Sequence, residues 1–256
     1  MAAAGITLQR WLRQEPFMLG LSSGFFGFFA HTGLVSALEQ RGLAPSRIAG
    51  SSAGALVGGL WAAGLPAGRI RNALLGLRRA DFWDPRPGPG LLRGRLFRRL
   101  LEELLPVTRF EQCRIPLAVS AVDALRRRVV VLDRGELAPA ICAACAVPLM
   151  FQPVRLQGRL LVDGGLLDRH GLSGLPAGRL LYHHLASRSP WRRRNSSALR
   201  PPERPQTTSL IMGGLPRLGP FRLADAPRAY ALAHRAAQRA LDATVAGGRV
   251  EIEATE

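Results

Sequence analysis

The chain has 256 residues, 47% hydrophobic and 21% charged, a balance that excludes wholesale disorder and an integral multi-span membrane protein. That length leaves room for one substantial buried core. All 35 basic residues are arginines against 18 acidic ones, and the net charge of +17 attracts polyanions, whether nucleic acid or an anionic lipid surface.

The segment from Pro16 to Leu38 carries no charge and is long enough to cross a bilayer, but Ser22, Ser23, Gly24, Gly27, His31 and Gly33 interrupt it. No A-x-A-like cleavage site follows it, so a signal peptide fits poorly. Read as a globular segment, FMLGLS predicts a buried strand, SSGFFGFF a glycine-containing turn and AHTGLVSALEQRGL a helix closing at Gly42. RIAGSSAGALVGGLWAAGL repeats the pattern, with a short strand ending at Gly50 and small residues that permit a sharp turn into a tightly packed helix. Two strand-loop-helix units in series predict an α/β fold with a parallel sheet and crossover helices.

A helix is expected through PAGRIRNALLGL, a loop at DFWDPRPGPG, and a solvated amphipathic helix with a basic face over LLRGRLFRRLLEELL. Ile115 to Ala121 and Arg128 to Leu132 read as strands joined by a turn, and ELAPAICAACAVPLMF as a small-residue helix stopping at Pro148. Cys142 and Cys145 have C-x-x-C spacing, yet no second pair or nearby histidine accompanies them, and they read as buried small hydrophobes. With Cys113 they make three, too few and odd in number for a disulfide-stapled secreted scaffold, which points to a reducing compartment. PVRLQGRLLVDGGLLDRHG has strand-turn-strand character and sets Asp163-Gly164-Gly165 at a strand end. Residues 186–208, rich in Arg, Ser and Pro, predict a mobile basic insertion, SLIMGGL a last strand, and PRAYALAHRAAQRALDATVAG a closing helix with a polar tail beyond it.

IAGSSAGAL holds a G-x-S-x-G sequence, Gly50 to Gly54 with Ser52 at its centre, between the predicted strand and helix. A strained turn of this kind exposes a serine hydroxyl beside the amides of a helix N-terminus. The earlier loop at Ser23-Gly24-Phe25 also joins a strand to a helix, the form expected of backbone N–H groups arranged as an oxyanion hole. Asp163 supplies a candidate base.

Four collinear stretches, LSSGFFGFFAHTGLVSALEQRGL, IAGSSAGALVGGLWAAG, CAACAVPLMFQPV and RLLVDGGLLD, together resemble the patatin-like phospholipases, lipid acyl hydrolases with a Ser-Asp dyad. The resemblance implies a three-layer α/β fold with a central, mostly parallel sheet flanked by helices. It also implies one domain over residues 1–256, with a motif core at about 17–168 and a C-terminal strand and helix at about 209–246. It casts Ser52 as nucleophile, Asp163 as base, the amides of Ser23, Gly24 and Phe25 as oxyanion donors, and Gly50, Gly54, Gly164 and Gly165 as motif glycines. No metal or organic cofactor is implied, and the substrate is a lipid ester or phospholipid. The family's glycine loop normally carries a basic residue, which Ser23-Gly24-Phe25-Phe26-Gly27-Phe28 lacks. A phenylalanine placed there at positive φ would be strained by roughly 1–2 kcal/mol.

Two other readings of the site compete with the dyad: a Ser-His-Asp triad using His170, His183, His184 or His234, and a lipid-binding protein that kept the fold and lost activity. Specific nucleic-acid binding is not expected, because no stacking module or zinc motif accompanies the charge. The expected location is cytoplasmic, with the arginine excess and the Phe-rich loop favouring peripheral contact with an anionic surface at the inner membrane.

Overall fold

The computed structural model describes residues 5–186 and 196–255. Most of the arginine-rich run WRRRNSS therefore lies outside the described residues. Helix α1 (Leu8–Gln14), capped by the Thr7 side chain, leads into β1 (Met18–Leu21), all four of whose residues are buried. The uncharged segment is thus a core strand followed by a loop and α2 (Phe28–Gln40), and no helix among the described residues is long and apolar enough to cross a membrane. Next come β2 (Arg47–Ser51), α3 (Ala53–Ala62) and α4 (Ala67–Leu75), at the predicted places.

The proline-rich loop ends in β3 (Gly90–Leu92), which takes Leu91 and Leu92 away from the helix predicted there. That helix, α5 (Arg95–Leu104), begins only after Gly94, with Leu101 buried and its outer face laced by Arg98–Glu102 and Arg99–Glu103 pairs at i,i+4 spacing. The predicted strands appear as β4 (Leu117–Asp123) and β5 (Arg128–Leu132), followed by α6 (Leu137–Ala144). Then come β6 (Leu149–Phe151), β7 (Val154–Leu156), β8 (Arg159–Asp163), β9 (Leu180–Leu185), β10 (Thr207–Gly213), α7 (Ala226–Asp242) and β11 (Arg249–Glu253). The polar tail expected beyond the closing helix is thus corrected: it returns to the sheet as an edge strand, with Val250 buried.

The main sheet runs β11-β10-β9-β1-β2-β4-β8-β7, with β5 also on β4. From β11 to β4 every pairing is parallel, while β5, β7 and β8 join antiparallel, giving the expected mostly parallel α/β sheet. A separate parallel ribbon pairs β3 with β6. Helix α7 lies along α2, α3 covers β2 and β4, and α6 crosses β4, β7 and β8.

One detail of register decides where chemistry can occur. β5 occupies one edge of β4 over residues 119–123, and the opposite edge is shared end to end by β2 and β8. Ser51, the last residue of β2, pairs with Ser120, and Asp163, the last residue of β8, pairs with Ala121, its neighbour on β4. Two strands running toward each other therefore terminate at adjacent rungs, which brings Ser52 and Asp163 together from 111 residues apart in sequence.

Candidate active site

The turn between β2 and α3 is tight because small residues let strand and helix touch. A Cβ built on Gly54 would lie 2.1 Å from the Leu21 carbonyl oxygen, and one on Gly50 would lie 2.5 Å from the Gly54 backbone. Between them Ser52 is held at φ 52° and ψ −119°, a conformation L residues rarely adopt, so its side chain stands clear of the helix it precedes.

The Ser52 hydroxyl donates to Asp163 Oδ2 at 2.6 Å, and Asp163 Oδ1 accepts the Gly165 amide at 2.7 Å. Both side chains are buried. Burial pushes the Asp163 carboxyl up to about 6, against the downward pull of the bonds from Ser52 and Gly165. Gly164 is required for a different reason: a Cβ there would lie 2.1 Å from the Ser120 carbonyl oxygen, so the chain could not turn so close to β4. An ionised carboxylate bonded to a serine hydroxyl can accept its proton as that oxygen attacks a carbonyl carbon.

The loop after β1 is anchored on its far side. The Ser22 amide donates to the His183 carbonyl at 3.3 Å, the Ser22 hydroxyl accepts the Leu185 amide, and the Ser23 amide donates to the Arg169 carbonyl at 2.7 Å. Ser23 is thus already committed. The Gly24 and Phe25 amides donate to no group among the described residues, and the Ala53 amide opens α3, where a helix leaves its first N–H groups without partners. Gly24, Phe25 and Ala53 line the same cavity as Ser52. The strain anticipated for the phenylalanine run falls on Phe26, at φ 53°.

Beneath the loop, two buried histidines meet Nδ1 to Nδ1 at 2.9 Å, and His31 Nε2 lies 2.8 Å from the Ser22 carbonyl oxygen. The carbonyl can only accept, so His31 donates from Nε2, its Nδ1 accepts, and His183 donates from Nδ1. Burial lowers His31 to about 4 and holds His183 well below the usual imidazole range, so both are neutral and the ring pair acts as a fixed strut for the loop. None of the histidines weighed as triad members bonds to Ser52. His183 is taken by His31, His184 faces the Leu199 carbonyl, His170 the Arg200 carbonyl, and His234 the Gln40 side chain.

Ser52 opens into an apolar cleft of about 620 Å³, open to solvent and walled by Phe26, Phe28, Leu56, Phe82, Phe97 and Phe151. A larger cavity of about 1110 Å³ shares Phe25 and Phe26 as a wall but reaches neither Ser52 nor Asp163. Of the two cysteines in the C-x-x-C run, Cys142 is buried as expected, while Cys145 lines the first cavity and donates to the Ser52 carbonyl at 3.2 Å. Sequence reasoning passed over this contact, and over the histidine pair. Only the position of Cys145 just before the turn at Pro148 could have signalled it.

Among proteins of similar sequence, an uncharacterized NTE family protein of Mycobacterium tuberculosis is 37% identical over 153 residues, covering 59% of this chain and 42% of the relative. A lysophospholipase NTE1 of Scheffersomyces stipitis is 28% identical over 170 residues, covering 64% of this chain and 11% of that protein. The chain therefore spans less than half the length of these relatives. Among solved structures, VipD from Legionella pneumophila superposes with a TM-score of 0.47 at 16% identity, covering 84% of this chain and 52% of that one. The type III effector ExoU gives 0.46 at 17% identity, covering 88% and 52%. The sequence pattern of the patatin-like phospholipases matches residues 19–175, more than half of the chain, and the chain belongs to that family.

Proposed function

We propose that this chain is a serine acyl hydrolase acting on lipid carboxylic esters. The observation that carries the reading is the 2.6 Å bond to a buried carboxylate from Ser52, which is held at a strained turn in the wall of an apolar cavity. In the mechanism this supports, the acyl chain lies among the phenylalanines and the ester carbonyl carbon meets Ser52 Oγ. As the C–O bond forms, Asp163 takes the hydroxyl proton, and the amides of Gly24, Phe25 and Ala53 receive the developing oxyanion. The leaving alcohol departs with the proton returned by Asp163. Water, deprotonated by the same carboxylate, then releases the fatty acid and regenerates Ser52. Membership of the family and the name of the lysophospholipase relative support a lipid substrate.

The test is fatty-acid release from a phospholipid and a lysophospholipid by the wild type and by Ser52→Ala. Release by the wild type alone agrees with the proposal; equal release by both contradicts it. Because the base must be ionised, and burial sets it at about 6, the rate is expected to rise about tenfold per pH unit below pH 6 and to level above it. A rate independent of pH between 4 and 7 would remove Asp163 from the base role. Met150 also lines the cavity, and Met150→Trp is expected to lower hydrolysis of long-chain esters by about tenfold relative to short-chain ones in a chain-length series.

A second reading, a lipid-binding protein without turnover, is favoured by one observation: the loop lacks its basic residue and spends the Ser23 amide on Arg169. It predicts fatty-acid binding by a wild type that releases none.

A further inference from the structure

We propose that the mouth of the Ser52 cavity is a docking face for an anionic phospholipid bilayer, with Leu91, Leu149 and Phe221 as inserting anchors beside Phe25. Among the described residues seven large hydrophobic residues are exposed, and these four, at 50%, 71%, 70% and 52%, lie in or next to segments that line the cavity. Phe25 lines the cavity itself. Leu149 lies between Val147 and Met150, which line it, and the β3–β6 ribbon, pairing Gly90 with Leu149 and Leu92 with Phe151, sets Leu91 level with Met150. Phe221 meets Trp83, the neighbour of cavity-lining Phe82, edge to face at 5.7 Å between ring centres. Hydrophobic side chains scattered at random need no explanation, but four around the entrance to an apolar cavity form a patch.

Leu149 adds a second observation. It is held at φ 67°, where a leucine is strained, and the conformation leaves its side chain 71% exposed, so neither burial nor backbone preference accounts for it. Of the six non-glycine residues at positive φ among the described residues, Phe26 and Ser52 line the cavity and Leu149 lies in the segment between two residues that do.

The charges fix the occupant. Arg79 lies over the rings of Trp83 and Phe221 at 4.9 and 5.4 Å, a guanidinium paired with aromatic anchors as at a headgroup layer. Arg86 donates its amide to the Leu91 carbonyl, Arg93 follows β3, and Arg217 lines the cavity that shares Phe25. The carboxylates nearby are engaged: Asp81 with Arg78, Asp225 with Arg222, and Asp84 with the three amides that open α5. Apolar anchors in a cationic rim fit a negatively charged leaflet, from which a lipid would pass directly into the cavity. The inference extends the lipid-ester reading above, but binding does not require turnover.

The experiment is co-sedimentation of the full chain carrying Ser52→Ala with vesicles of phosphatidylcholine alone or mixed with phosphatidylglycerol. The expected result is binding to the mixed vesicles that weakens with salt. The added changes Leu91→Ser, Leu149→Asn and Phe221→Ser should lower it by on the order of tenfold or more. Asparagine suits the left-handed backbone at 149, and in an otherwise wild-type chain these three changes should leave hydrolysis of a dissolved short-chain ester unchanged. Should that variant fail to fold, Arg79→Gln with Arg86→Gln and Arg93→Gln should lower binding to mixed vesicles selectively. Equal binding to both vesicle types, or undiminished binding by both variants, would overturn the inference. So would a dimer in sedimentation that the anchor changes dissociate, which would give the face to a second copy. Vesicle binding by a chain whose wild type hydrolyses no ester would leave this inference standing while the hydrolase reading fell.

Discussion

Asp163→Asn is expected to lower ester hydrolysis by about 10²–10⁴-fold and, at pH 8, to make the protein more stable. The two effects have one origin. The folded protein raises the Asp163 carboxyl from 3.8 to about 6, so the native state holds this proton more tightly than the unfolded chain does. Below about pH 4 both states are protonated and the group costs nothing. As pH rises through 6 the folded protein must carry a buried carboxylate, a cost of about 3 kcal/mol at 1.36 kcal/mol per unit. Asparagine keeps the shape and can still accept the Gly165 amide, but it never ionises. Thermal melts of the two proteins should therefore separate by several degrees at pH 8 and converge near pH 4. A variant that is less stable than the wild type at pH 8 would mean that the carboxylate is held by compensating charge. A variant with full activity would mean that Asp163 is not the base.

Gly54→Ala is expected to cost several kcal/mol and to abolish activity by preventing the turn from closing. Its Cβ would lie 2.1 Å from the Leu21 oxygen and 2.6 Å from the Leu21 carbonyl carbon, backbone atoms of a fully buried strand that cannot yield as a side chain end could. Gly68→Ala is the control. It lies near the start of α4 with nothing within 4 Å of the added atom, and the change should stabilise by about 0.5 kcal/mol. Urea titrations of both variants distinguish close approach from a general intolerance of glycine replacement. Similar midpoints for the two would contradict the packing argument.

The alternation of strand and helix from Phe17 to Ala63 was legible because short, largely apolar strands there lead through small-residue turns into helices that close near Gly42 and Gly64. The meeting of Ser52 with Asp163 was not legible from spacing, since it depends on β2 and β8 sharing one edge of β4. Only resemblance to the patatin-like phospholipases supplied it. β9 escaped notice because His183 and His184 break its apolar run, and both are buried, one of them against His31. A buried polar pair reads as loop until its partner is known. β11 is a short edge strand whose Arg249, Glu251 and Glu253 face away from Val250, an alternation that its polarity hides. Helix α1 did carry a signal, the Thr7 cap followed by Leu8, Trp11 and Leu12 at helical spacing. The ribbon of β3 and β6 carried none, because neither three-residue strand is long enough to show a period.

Ser52 as an activated nucleophile beside the altered loop is checked by labelling with a fluorophosphonate probe, which needs no assumption about substrate. Wild type should label at pH 8 and folded Ser52→Ala should not. Folded wild type that stays unlabelled, or labelling that survives the loss of Ser52, would contradict it.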